Sequence, residues 1–307
     1  MDMPIDAHDI AYAENFLASD DIATALPLLE KLAQMAKEYA DAECVATDKK
    51  QWFSFEDAFE RLAYRRVERD PRELEQLEVP FDRLYADLAF AYIRQREYVK
   101  AKDALMQAVR WNPMKCNYRL DLAELFRALG DVREWSALSV SVIERASDPV
   151  SLGRAYANLG AFFLDSFEEP NLFASAACSR IASRLSRDDA RTQKLAARLD
   201  EEHPELAAEP DRTLNAELEL QGIPTQASAE IAICLLMCAS DAAAAGDRAQ
   251  AAKLTVRARD LIGTDACEAL IKLIHESDSE LAAERAQGEG GPAGGAGAAD
   301  AAAPGEE

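Results

Sequence analysis

DRLYADLAFAYIRQREYVKAKDALMQAVRWNPMK, residues 82–115, decides the fold. Tyr85, Leu88 and Tyr92 recur at three- and four-residue steps, which is the spacing of one helix face. Ala101, Leu105 and Ala108 repeat the pattern in a second helix, and Pro113 stops it because proline cannot continue a helical hydrogen-bond ladder. Small residues at Ala89, Ala101 and Ala108 let two antiparallel helices approach closely, while Tyr85, Leu88, Tyr92 and Leu105 fill the space beside them. The stretch therefore predicts a tight helical hairpin.

Composition extends that reading to the whole chain. Of 307 residues, 49% are hydrophobic and only 7% aromatic, with abundant Ala, Leu, Glu and Arg. These favour helix, and strand-like alternation is scarce, so an all-α fold is expected. The formal charge of -22, from 56 acidic against 34 basic side chains, excludes nucleic acid and anionic lipid as partners, since both need a basic surface. MDMPIDAHD has no basic region followed by an apolar run, and no stretch reaches the roughly 18 apolar residues of a membrane helix. A soluble, cytoplasmic protein is expected.

On either side of residues 82–115 the hairpin pattern recurs. Residues 5–44 read as two helices, one faced by Ile10, Ala13, Phe16 and Leu17, the next by Ile22, Leu26, Leu29, Leu32, Met35 and Tyr39. Asp20 or Asp21 caps the second. Residues 52–69 read as an aromatic-rich helix that plugs the open end of the following unit, with an exposed partner site as the alternative; Asp70-Pro71 breaks the helix, and residues 72–80 form an acidic linker. After Lys115, Leu122, Ala123 and Phe126 repeat Leu88, Ala89 and Tyr92, and Gly130-Asp131 makes the turn, glycine taking the left-handed position and aspartate the cap. Trp135 stands where a small residue is expected. A third unit opens at Asp148-Pro149 and carries Tyr156, Leu159, Gly160 and Phe163, then Ala174, Cys178 and Ile181. Beyond Asp188 the period is lost: residues 189–199 read as a further helix, and the acidic stretch after them either as a short helix or two on the stack's surface or as a tether between two helical lobes. The last hairpin begins at Ala229, turns at Gly246-Asp247 and places Ala251 and Ala258 in small slots, and a capping helix follows with Ile271, Ile274 and Leu281 inward. The expected organisation is N-terminal capping helices (1–81), a core array (82–199), an acidic proline-containing connection (200–228), a C-terminal hairpin with its cap (229–286), and a disordered Gly/Ala/Pro tail (287–307).

Residues 82–115 resemble one tetratricopeptide repeat, whose pattern is W-x-x-L-G-x-x-Y, A-x-x-x-F and then Pro over about 34 residues. Tyr85, Leu88-Ala89, Tyr92, Ala101 and Pro113 take those positions in order. The order of segments, with Trp111-Asn112-Pro113 closing the strong unit and QGIPT (221–225) preceding the last hairpin, is similar to bacterial tetratricopeptide proteins. The resemblance implies a right-handed α-α superhelix whose first helices line a concave groove. It also implies a non-enzymatic adaptor or scaffold that binds a partner protein or peptide there. Helical spacing puts Arg83, Phe90 and Arg94 on that face, with Arg127 from the second unit and Arg154 and Asn158 from the third. Arginine suits bidentate contact with carboxylates, so an acidic or carboxylate-terminated peptide is the expected ligand. The competing expectation is that these arginines pair with acids on adjacent helices. Phe90 and Glu124 stand where chaperone-binding members of the family carry asparagine, which puts that clamp in doubt. Another function class is a self-associating solenoid, with a homodimer built on the aromatic N-terminal stretch or the Cys-rich last hairpin.

Catalytic chemistry finds no footing. His8, His203 and His275 lie in no nucleophile or metal motif, and there is no glycine-rich phosphate loop, so no catalytic residue, cofactor or metal is expected. Cys234 and Cys238 are one helical turn apart, with Cys267 and His275 as candidate further ligands. Scattered cysteines without C-x-x-C spacing fit buried thiols better.

Overall fold

The computed structural model describes residues 3–288. It is built from α1 (Ala7–Ala18), α2 (Ile22–Glu43), β1 (Lys50–Phe53), α3 (Ala58–Glu68), β2 (Glu73–Gln76), α4 (Phe81–Arg94), α5 (Tyr98–Trp111), α6 (Cys116–Ala128) and α7 (Val132–Ile143). These are followed by α8 (Pro149–Asp165), α9 (Leu172–Leu185), α10 (Ala190–Glu202), a 3-10 turn (Pro204–Ala208), α11 (Asp211–Leu220), α12 (Ala229–Ala244), α13 (Arg248–Ile262) and α14 (Thr264–Gly288). The chain is thus helical apart from one small strand pair among the described residues. It divides into two units, Met1–Cys267 and Glu268–Glu307. The described part of the second is the continuation of α14 to Gly288. No helix among the described residues is long and apolar enough to cross a membrane.

Five hairpins close with a backbone hydrogen bond across the turn, reaching back five residues in four of them and eight at Asn171. The first residue outside the second helix donates its N–H to the closing residue of the first: Asp21 to Phe16 (2.9 Å), Glu97 to Tyr92 (2.9 Å), Asp131 to Phe126 (2.8 Å), Asn171 to Phe163 (3.0 Å) and Asp247 to Ala242 (2.8 Å). Asp21, Asp131, Asn171 and Asp247 also cap their helices by accepting a backbone N–H three residues on, which satisfies a donor the helix leaves open. Glu97 makes no such bond. Four of these turns need a left-handed residue, filled by Asp20, Arg96, Gly130 and Gly246.

The hairpins stack in sequence. α1 and α2 pack on α4, α5 on α6, α8 on both α6 and α7, and α10 on α8 and α9. Ala89 and Ala123 are buried in the small slots of the first two of these units. At the third, Gly160 lies so close to its neighbours that an added Cβ would meet Leu195 and sit 3.2 Å from the Cys178 Cβ. Trp135 fills its anomalous slot by inserting between the Arg127 guanidinium (4.8 Å) and the Phe162 ring (6.1 Å), and is 2% exposed.

Two regions differ from the sequence expectation, and the connection 200–228 takes the first of its two expected forms, short helices on the stack's surface. Residues 52–69 are not one helix: Lys50–Phe53 forms a strand that pairs in parallel with Glu73–Gln76, from Lys50 opposite Glu73 to Phe53 opposite Gln76. α2 packs directly on α4, so the segment between them must leave and return, and parallel strands joined by a crossover helix do this. The aromatics of this segment make a local core in which Phe53 stacks on Phe55 at 4.7 Å and packs on Tyr64 at 4.5 Å. The last hairpin does not extend the stack, because α12 packs on α3. Arg257 of α13 lies 5.0 Å over the Phe59 ring and donates from Nε to the Ser147 carbonyl at 2.8 Å. The connection 200–228 is packed along much of its length: α11 lies on α9 and buries Leu214 and Leu218, Arg180 donates to the carbonyls of Leu206 and Glu209, and the Tyr156 hydroxyl donates to the Pro224 carbonyl at 2.7 Å. The tail expected at 287–307 lies, beyond Gly288, outside the described residues, as does the Leu281 side chain.

Candidate functional site

The first helices of the stack, α1, α4, α6 and α8, carry the candidate residues. Arg83 of α4 engages both carboxylate oxygens of Glu14 on α1 through Nε and Nη2. Arg94 pairs with Asp20 in the α1–α2 turn at 2.6 Å. Arg154 of α8 reaches back to Asp121 of α6 at 3.0 Å, and Arg191 of α10 to Glu124 of α6 at 3.5 Å. In each bridge the arginine belongs to the later helix and the acid to the earlier segment. Arg127 pairs within its own helix with Glu124 at 3.6 Å while stacking on Trp135.

The arginines are therefore compensated by neighbouring acids. Phe90 is 45% exposed on α4, and Tyr12 on α1 is 54% exposed with its ring edge-on to Phe16 at 5.2 Å. Asn158 does not join this surface. It is 3% exposed, and its amide donates to the Ser139 hydroxyl of α7 at 3.4 Å. Helical spacing assigned it to the first-helix face, but α7 packs against α8 and covers that position. Glu124 is paired with Arg127 and Arg191. Glu14, Asp20 and Asp121 were missed as the arginines' partners, because each lies on a different segment and no local spacing connects the pairs.

A second polar constellation lies inside the fold. Asn112, from the turn after α5, is fully buried and donates from Nδ2 to Glu60 of α3 (2.7 Å) and Asp82 of α4 (3.2 Å). The Glu56 backbone N–H donates to the same Glu60 oxygen at 2.7 Å, and the Tyr118 hydroxyl donates to Asp82 at 3.3 Å. Lys115 pairs with Glu56 and lies 3.9 Å from Glu60. Burial pushes the Glu60 carboxyl up to about 7 and raises Asp82 as well, against the opposing hydrogen bonds from Asn112. Asp87, beside Glu14 and Arg83, is also raised, first by burial and then by Glu14. Asn112 thus ties the strand-helix insertion, α4 and the α5–α6 turn together.

The cysteines do not converge. Cys234 and Cys238 are thiols raised to about 11 by burial, and among the described residues no group of three or more His, Cys, Asp and Glu side chains is arranged to hold a metal ion. The aromatic stretch and the Cys-bearing α12, the two surfaces on which a homodimer was expected, face each other within one chain, since α12 lies on α3. No protein-family model matches the chain, and no curated protein matches it.

Proposed function

We propose that this protein is a non-enzymatic adaptor of the tetratricopeptide kind, a right-handed superhelix whose first helices receive a protein or peptide partner. The four hairpin turns closed by the same five-residue backbone bond support the repeat reading, and the exposed rings of Tyr12 and Phe90 among arginine–carboxylate pairs carry the binding reading. An exposed ion pair contributes only about 0–1 kcal/mol. Arg94 can therefore exchange Asp20 for a partner's carboxylate at little cost, while Phe90 supplies the apolar contact that anchors an interface. An acidic peptide with an apolar side chain near its carboxylates meets both demands.

The test is an array of acidic peptides probed with the full chain. Phe90→Ala and Arg94→Glu should each weaken the best binder by about tenfold or more, equivalent to roughly 1.4 kcal/mol. Peptides that bind both variants as well as the native chain would remove α4 from the site. Light scattering should give a monomer mass that does not change with concentration, because the aromatic and Cys-bearing surfaces are covered within the chain.

A further inference from the structure

Away from the first-helix face, a cleft of about 780 Å³ opens between α2 and α5. Its floor is α4: Tyr85, Leu88 and Tyr92 line it. The two tyrosine hydroxyls are tied off, Tyr92 donating to Glu30 at 2.8 Å and Tyr85 to the Ala33 carbonyl at 3.3 Å. The cleft exists because Ala33, Ala40 and Ala104 line it where larger side chains would fill the space. Lys100 and Arg110, both in the lining, are ten residues apart on α5, a span of about 15 Å at 1.5 Å per residue. The site is elongated.

Its charges are unequally matched. Lys37 pairs with Asp41 at 2.6 Å and Lys100 with Glu97 at 2.5 Å. Arg110 has no such partner. Its guanidinium lies 3.9 Å from the centre of the Trp111 ring, and Nη1 donates to the Trp52 carbonyl at 2.9 Å. Among the described residues no carboxylate forms an ion pair with it, and burial holds its pKa below the ordinary guanidinium value. Trp111, which also lines the cleft, has a buried indole N–H without an acceptor. A chain with net charge -22 thus leaves a half-buried guanidinium in the lining of this cleft with no carboxylate paired to it among the described residues. The contrast with Arg83, Arg94 and Arg154, each paired with an acid, marks this end of the cleft as a place for an acceptor from outside.

We infer that the cleft binds the C-terminal end of a peptide, with its carboxylate on Arg110 and its apolar side chains over Tyr85, Leu88 and Tyr92. The length accommodates about four or five extended residues at 3.3 Å each. Gln34 and Gln107 in the lining offer both donors and acceptors to a peptide backbone. Residues 289–307 contain no large apolar side chain to lie over these rings, and the occupant inferred is a second molecule. This site is independent of the first-helix surface.

Synthetic six-residue peptides with Leu, Ile or Phe at varied positions and a free carboxylate, titrated onto the full chain by fluorescence anisotropy, test it. The same peptides with an amidated C-terminus should bind about tenfold or more weakly. Arg110→Gln and Gln107→Trp should each produce a comparable loss for the free acids, whereas Arg94→Glu should leave them unchanged. Thermal unfolding of the variants separates lost binding from lost structure. If Arg110→Gln fails to fold, Gln107→Trp, at an exposed position, decides alone. Equal binding of free and amidated peptides overturns the inference, as does native affinity in Gln107→Trp. Loss with Arg94→Glu alone moves the binding to the first-helix surface. Binding of decanoate with none of the peptides assigns the cleft to a small organic acid and overturns the peptide assignment.

Discussion

The first-helix face and the Asn112 joint use the same side-chain chemistry under opposite conditions. On the face, Arg94 and Asp20 meet with 48% and 66% of their side chains exposed, so water already solvates both charges. In the joint, Glu60 and Asp82 are buried and share the amide of a fully buried asparagine. Solvated pairs can be exchanged at little cost, which suits the partner surface proposed for this face. Buried carboxylates are expensive to desolvate and depend on each hydrogen bond they keep, which suits a fixed junction.

Breaking the joint should have the largest effect. Asn112→Ala removes a donor from two buried carboxylates, and a loss of about 3 kcal/mol is expected, measured by urea unfolding at pH 7. Next is Glu60→Gln, which keeps an acceptor and removes the charge. The Glu60 carboxyl titrates near 7 in the fold against 4.5 ordinarily, so the folded state binds more protons between these values. Native stability contributed by this group therefore falls as pH rises from about 4.5 through 7. Glu60→Gln should flatten that fall and gain stability on the order of 1 kcal/mol at pH 8, with little gain at pH 4, by thermal unfolding across the range.

Asp87 is the exception beside the first-helix face, since burial and Glu14 both raise it. Asp87→Asn should likewise stabilise at pH 8 and not at pH 4, and the gain should shrink without vanishing when Glu14→Gln is already present, because burial is the larger cause. An undiminished gain with Glu14→Gln would show that burial alone raises the group. The smallest effect is expected for Arg94→Ala, below about 1 kcal/mol at low salt and close to zero at high salt. A loss as large as that of Asn112→Ala would erase the contrast between the two regions.

Much of the helical architecture was legible in the sequence. The turns at Gly130-Asp131 and Gly246-Asp247 follow from residue chemistry alone, because glycine reaches a left-handed φ without strain and aspartate accepts the open N–H of the next helix. The Arg96 turn carries neither signal, yet its backbone bond to Tyr92 is the same; there the helices on either side impose the conformation. Of the candidate site, helical spacing named the arginines, and the structure pairs each of them with an acid. Asn158 was misplaced because periodicity describes a helix and not what packs on it. The strand pair escaped notice because two four-residue strands offer too short an alternation to distinguish from loop.

The sequence by itself determined the hairpins: their periodicity, their small contact positions and most of their caps, all of which are interactions within a few residues. Tertiary structure alone decided which charges meet, that α12 rests on α3, that Asn112 joins two buried carboxylates, and that Arg110 borders a cleft without an acid. These depend on segments far apart in the chain. Their partners are selected by packing geometry and desolvation, and neither leaves a spacing in the sequence.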